Sequence, residues 1–273
     1  MKLHLHISLF QQRDSKRALE LETCLRRNLE HPLLSRVTVL DEGVDWALLQ
    51  HPKVRRIPTR ARPRFRDFLP HLEANATNII SNNDIHFDSS LRRLPWLRLG
   101  ENDLLALTRH EPDGTLFREA DADSQDTWIF RGRPPVLAQC DFYLGTPGCD
   151  NRLLYLFEAA GYRTLNPSKV IRCWHLHASP LRAYDDQKDR IHGIYQMERP
   201  LGLWEYHQRR VLKYVMHRLR KRLVHTRLSA PAGALQAVAI AGPAGLGQPS
   251  RETPRPMAGN PTLRGEIQTH ASN

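Results

Sequence analysis

No stretch of this 273-residue chain approaches the roughly 20 consecutive apolar residues that a bilayer-crossing helix requires. The first ten residues alternate apolar with polar and lack the unbroken apolar centre of a signal peptide, so Met1 to Phe10 reads as an opening strand. Together these absences predict a cytoplasmic protein. Cysteine is scarce: Cys24, Cys140, Cys149 and Cys173 are scattered without Cys-x-x-Cys spacing. That argues against a thiolate zinc site, and a chain of this length can fold without disulfides. No internal repeat is visible, which sets solenoids and propellers aside. Acidic side chains are the minority, 29 against 40 Lys and Arg, for a formal net charge of +11.

What is present is enough apolar residue, 40%, to bury a sizeable core. The excess positive charge is local. Arg209, Arg210, Lys213, Arg218, Arg220, Lys221, Arg222 and Arg227 lie in one late segment with only Glu205 against them. A helix is expected from Leu203 to about His225, with Leu212, Val215, Met216, Leu219 and Leu223 on one face. Packing of that face on the core is the plainer expectation. Peripheral contact of residues 204–227 with an anionic membrane, at its inner face, is the other. Nucleic acid is not expected as a partner, because no zinc-finger or RNP-like motif accompanies the charge. From Ser229 to Asn273 the composition turns to Ala, Gly, Pro, Gln, Ser and Thr, and disorder is expected.

Before that, strands and helices alternate. Strands are expected at residues 36–40, 54–57, 77–81, 104–108, 127–130 and 170–174, and helices at Asp14 to Asn28 and Arg152 to Gly161. Short helix or turn suits Val44 to Gln50 and Pro70 to Ala76. Such alternation predicts an α/β sheet, which binds ligands where its strands end. Asp84, in Asn82-Asn83-Asp84-Ile85-His86-Phe87-Asp88, stands just past one such end. Carboxylates there suit a divalent cation, with substrate phosphates completing the shell; an Asn-Asp turn is the ordinary alternative.

Three later features add to it. The turn Gly145-Thr146-Pro147-Gly148-Cys149-Asp150-Asn151 delivers Asp150 to the front of a helix, where it is either an N-cap or a proton acceptor for a substrate hydroxyl. His175-Leu176-His177 follows the last strand, and alternation puts both imidazoles on one side. Asp126-Thr127-Trp128-Ile129-Phe130 feeds an aromatic strand, of which Trp128 is either core or a platform for a sugar ring.

In this combination the chain resembles the nucleotide-sugar-dependent glycosyltransferases of the GT-A fold, in particular a bacterial glycosyltransferase-like family. The resembling pieces run in order over roughly residues 3–184: Arg62 to Phe68, Ser81 to Asp88, Ser124 to Phe130, Gly145 to Arg152, Gly161-Tyr162, Asn166-Pro167-Ser168 and His175 to Ser179. The resemblance implies a Rossmann-like mixed sheet flanked by helices over residues 1–185, with a basic helical extension at 186–228 and a tail at 229–273. It implies transfer of a sugar from a nucleoside diphosphate to a carbohydrate or lipid-linked acceptor hydroxyl, in cell-surface polysaccharide or glycoconjugate synthesis. On the donor side it implies Phe10, Glu42, Arg62, Arg64, Asn83 and Asp84; on the acceptor side Asp126, Trp128, Gly148 and Asn151; and Asp150 as base. A divalent cation, Mn2+ or Mg2+, would sit at Asp84 with His175 or His177. The sequence departs from a strict Asp-x-Asp, since His86 stands where the second carboxylate would be. A metal-dependent phosphoesterase, or a non-catalytic basic module for membrane surface or nucleic acid, are the competing expectations.

Overall fold

A computed structural model describes residues 2–122, 124–135, 139–176 and 188–228, with side chains to 219 in its last helix. The expected disordered tail and His177 therefore lie outside the described residues. In chain order the elements are β1 (Leu3–Leu9), α1 (Ser15–Glu30), β2 (Leu34–Asp41), β3 (Val54–Pro58), α2 (Phe65–Phe68), β4 (Thr77–Ser81) and β5 (Ile85–Phe87). They are followed by β6 (Asp103–Leu107), β7 (Thr127–Arg131), α3 (Cys149–Ala159), β8 (Arg163–Leu165), β9 (Cys173–His175) and α4 (Leu203–Leu228). The architecture is the α/β one expected: a mixed, mainly parallel sheet flanked by helices. Its seven strands run in the order β3-β2-β1-β4-β7-β6-β8, and only β7 is antiparallel to its neighbours.

Strand periodicity divides the core between two faces. Leu3, Leu5, Ile7 and Leu9 of β1 share one apolar cluster with Val37, Val39, Ile79, Leu105 and Ile129. The residues of opposite parity, Ile80, Leu104, Ala106, Trp128 and Phe130, join Phe65, Leu153 and Phe157 in the other. Burying both faces is what drives a strand to read as a near-continuous apolar run. Asp14 caps α1, its side chain accepting from the Arg17 N–H at 2.7 Å.

The boundaries differ from expectation in instructive places. The Val44 to Gln50 helix is only a 3-10 turn, Ala47–Gln50. Helix α3 starts three residues early, at Cys149, because Gly148 takes a left-handed backbone (φ 78°) as its N-cap. Gly161 (φ 91°) stops it as expected. The strand expected at 170–174 is β9, outside the main sheet. It pairs antiparallel with β5, and this two-stranded ribbon places Ile85 opposite His175.

Helix α4 packs through polar anchors rather than through the apolar stripe. Tyr206 is buried and donates to the Leu97 carbonyl at 2.9 Å. Arg210 joins Arg163 on the buried Asp103 carboxylate, and Lys213 lies between Glu158, at 2.5 Å, and the buried Glu198. Val211, Leu212, Val215, Met216 and Leu219 remain exposed. The expectation that Leu212, Val215, Met216 and Leu219 pack on the core is corrected; the Leu223 side chain lies outside those described. Charged residues at 210 and 213 claim the inward face because they neutralise buried carboxylates, which is costly to forgo. Lys213→Ala is accordingly expected to lower the unfolding free energy by about 3 kcal/mol, measured by urea denaturation, because it strands Glu198 without a cation.

Candidate active site

Register brings the site to one edge. Leu9 lies level with Asp41, and Asp41 with Pro58; Ser81 and Leu107 both lie level with Thr127. The residues just past these positions, Phe10, Glu42, Asn82 to Asp84, Thr108 to Glu111 and Gln125-Asp126, therefore share the carboxyl edge of the parallel strands. The ribbon of β5 and β9 hangs below it and adds His175.

Helix α1 supplies a residue that sequence reading missed. Asn28 is pinned to β5, donating to the Ile85 carbonyl at 2.8 Å and accepting from the Phe87 N–H at 3.2 Å. Counting back along the same face by helical steps passes Cys24 and Leu21, both buried, and reaches Arg17. Its guanidinium donates to Asp84 Oδ2 at 2.5 Å, to Glu20 at 2.9 Å and to the Leu176 carbonyl at 3.2 Å. His175 Nε2 stands 3.3 Å from the same Asp84 oxygen, and its Nδ1 is 3.4 Å from Glu111 Oε2. Arg109 continues the chain, 2.8 Å from Glu111 and 3.3 Å from both oxygens of Asp126, with its guanidinium over the Phe117 ring. Asn82 closes it by donating to Asp126 at 2.8 Å.

Burial would raise the Asp84 pKa, but the His175 hydrogen bond and charge, with Arg17, outweigh it and hold the carboxyl far below its ordinary value. Burial would lower that of His175, and the Asp84 contact reverses the direction and raises it. Asp126 is raised, burial prevailing over the attraction of Arg109 and His175. The contact thus favours the carboxylate at Asp84 and the protonated ring at His175, with Arg17 against the same carboxylate.

Asp150 lies in the first turn of α3, beside this network. It is not the N-cap. It accepts from the Gln125 N–H at 2.9 Å and from the Asn151 N–H at 3.0 Å. Gln125 precedes Asp126, so Asp150 and Asp126 are linked through one backbone step. Burial pushes the Asp150 carboxyl up to about 7, against those two backbone donors and with the charge of Asp126 adding to the rise. The residue nonetheless keeps a solvent-facing edge.

The remaining expected residues divide. Glu42 follows β2, with one carboxyl oxygen buried and lacking a hydrogen-bond partner among the described residues; burial raises its pKa while Arg62 works against that. Phe10 and Asn83 are half-buried at the same edge. Arg62 and Arg64 lie over the Tyr143 ring at 4.8 and 5.3 Å, Arg62 donating to the Leu144 carbonyl and Arg64 to Asp141. Trp128 is a correction: the side chain is fully buried and packs edge-on against Phe65, so it offers no face to a sugar. Gly148 is fixed by the backbone, since a Cβ there would also meet the Tyr195 hydroxyl at 2.8 Å. Asn151 is buried in α3, with its carbonyl taken by the Gln196 N–H.

Of the residues expected to hold a metal, Asp84 and His175 are brought together and His177 lies outside the described residues. Among the described residues no group of three His, Cys, Asp or Glu side chains is placed to hold an ion. His86 turns toward α1, its Nε2 2.8 Å from Arg27, and Asp88 caps the following turn and takes the Trp174 N–H at 2.9 Å. Neither joins Asp84. The guanidinium against Asp84 is that of Arg17, with which a divalent ion there would have to share the carboxylate.

No family model matches the chain, and no curated protein matches it. Among solved structures it is similar to the mannosyltransferase PcManGT from Pyrobaculum calidifontis, in complex with GDP-Man and Mn2+, at 15% identity and a TM-score of 0.46, over 67% of this chain and 58% of that one. It is also similar to residues 1–349 of S. aureus TarS (12%, TM-score 0.36, over 48% of this chain and 47% of that one) and to the galactosyltransferase LgtC in complex with donor and acceptor sugar analogs (14%, TM-score 0.27, over 47% and 57%). The chain thus spans about half the length of these structures.

Proposed function

We propose that the chain transfers a sugar from a nucleoside diphosphate to an acceptor hydroxyl, with Asp150 as the base. The observation that carries this reading is the Asp150 carboxyl in the first turn of α3, held by the Gln125 and Asn151 N–H groups, whose burial raises its pKa toward about 7. It stands at the carboxyl edge of the sheet, one backbone step from the charged network around Asp84. General bases are most effective when their pKa lies near the working pH. The residues that the sequence resemblance singles out at this edge, Asp84, Asp126, Asp150 and His175, are contiguous through Arg109, Glu111 and Gln125.

In the proposed step the acceptor oxygen attacks the anomeric carbon, its proton passes to Asp150, and the bond to the diphosphate breaks. Negative charge grows on the leaving phosphate. Arg17, Arg109 and protonated His175 are the positive groups fixed nearest, and preorganised charge of this kind stabilises such a step. Asp84 serves as the anion that aligns Arg17 and His175. Glu42, one of whose carboxyl oxygens lacks a partner among the described residues, would accept from a ribose hydroxyl, and Phe10 would lie against the base. The acceptor is taken as carbohydrate or lipid-linked, and cell-surface polysaccharide or glycoconjugate synthesis as the setting. A divalent cation would have to share Asp84 with Arg17.

Thermal-shift titration against UDP-, GDP-, CDP- and dTDP-sugars, with and without Mn2+, tests the reading. One nucleotide class is expected to raise the melting temperature, since saturation at about 100 Kd adds about 2.7 kcal/mol. Silence from all four, together with hydrolysis of a simple phosphoester, would replace the transferase by a phosphoesterase.

A further inference from the structure

Helix α4 turns its better apolar face to solvent. Tyr206, Arg210, Lys213 and His217 recur at helical spacing and are the less exposed positions, the first three anchored as described above. Trp204, Val211 and Val215 fall on the opposite side, with Leu212 and Leu219 beside them. Trp204 is 74% exposed and Val211 63%. Arg209 and Arg218 are exposed as well, and the sequence of the same helix carries Arg220, Lys221, Arg222 and Arg227 against a single acid, Glu205. Among the described residues nothing covers this face.

We infer that the outward face of α4 docks on an anionic lipid bilayer, lying in its interface. The choice of occupant rests on chemistry. A nucleic acid would pair with the arginines but leave Trp204, Val211, Val215 and Leu219 in water. A second copy meeting the face isologously would bring like charges together, which is destabilising. A bilayer with acidic headgroups meets both demands, because apolar side chains enter the headgroup boundary while arginines stay at the charged surface. Spanning is not involved, since no described helix is long and apolar enough to cross a membrane. The anchoring of α4 by Tyr206, Arg210 and Lys213 leaves the docking face rigid and outward, so binding needs no unfolding of the helix.

The test is co-sedimentation of the full chain with phosphatidylcholine vesicles, with and without phosphatidylglycerol. Partition is expected only into the phosphatidylglycerol vesicles, and it should weaken with added salt. The variant Val211→Asp/Val215→Asp, changed at exposed positions, should keep the wild-type melting temperature and lose partition by about tenfold. Should that variant fail to fold, Trp204→Ser carries the same test. Equal partition into neutral and anionic vesicles, or wild-type partition by the variants, would overturn the inference. So would a wild-type dimer in sedimentation velocity that the variants abolish, which would hand the face to a second copy. These readouts use no sugar nucleotide, so they stand or fall apart from the transferase reading.

Discussion

Asp150→Asn is expected to slow sugar transfer by about 10²- to 10⁴-fold while leaving donor affinity unchanged, because it removes a proton acceptor and nothing that touches the diphosphate. The wild-type rate should rise with pH through a limb near 7, the value to which burial pushes this carboxyl, and the residual rate of the variant should lack that limb. Stability gives a second readout. Asp150 binds its proton more tightly folded than unfolded, so its contribution favours the fold at low pH. That contribution is lost as pH rises from the ordinary 3.8 toward about 7. Asp150→Asn should flatten this fall, compared by urea denaturation below pH ~5 and above pH ~8. A variant with the wild-type rate removes Asp150 from the chemistry. A variant that loses donor affinity in the same proportion as rate makes it a positioning residue instead.

The strands were legible because each buries both faces and so writes a short apolar run between polar turns. Asp84 was legible for the complementary reason, since polar residues directly after such a run fall on the sheet edge; Asp126 directly precedes one, and Asp150 was marked by the Gly/Pro turn before its helix. Arg17 was not. Arg17 belongs to a helix whose face reads Leu21, Cys24, Leu25 and Asn28, and an arginine one turn before that face looks like a solvated end until β5 is known to lie under it. β5 itself has three residues, too few for periodicity to show. Arg109 and Glu111 follow β6 directly and could have been found by the rule that found Asp84. Trp128 shows the limit of reading an aromatic from its neighbours, since strand parity, not the polar turn before it, decides which way the ring points. On α4 the apolar stripe was visible but its direction was not. The carboxylates that turn it outward, the buried Asp103 and Glu198 and the half-buried Glu158, come from distant parts of the chain.

The second large effect concerns the pair at the centre of the site. Arg17 and Asp84 are both mostly buried, at 12% and 11% side-chain exposure. Removing one partner from a buried ion pair strands the other, and costs about 3 to 5 kcal/mol. Arg17→Met and Asp84→Asn should each fall toward the lower end of that range by urea denaturation, because His175 stays on Asp84 and Glu20 on Arg17. The double variant should lose less than the sum, because neither charge is left alone. The deficit of Asp84→Asn should also depend on pH in a stated direction. The folded pKa of His175 is raised, so the stability it draws from Asp84 is fully present below its ordinary 6.5 and fades as pH climbs through the folded value. The gap between wild type and Asp84→Asn is therefore widest in mildly acidic solution and narrower in alkali. In the other direction Asp84, whose own pKa is lowered, keeps its contribution above its ordinary 3.8 and loses it only as strong acid protonates it. Metal enters here as a discriminating measurement. If Arg17 is the resident cation of this carboxylate, Mn2+ should leave the wild-type melting temperature unchanged in the absence of nucleotide and raise that of Arg17→Met, whose carboxylate has lost its guanidinium. A wild type that Mn2+ stabilises as strongly as the variant would show that Arg17 yields its place to the ion.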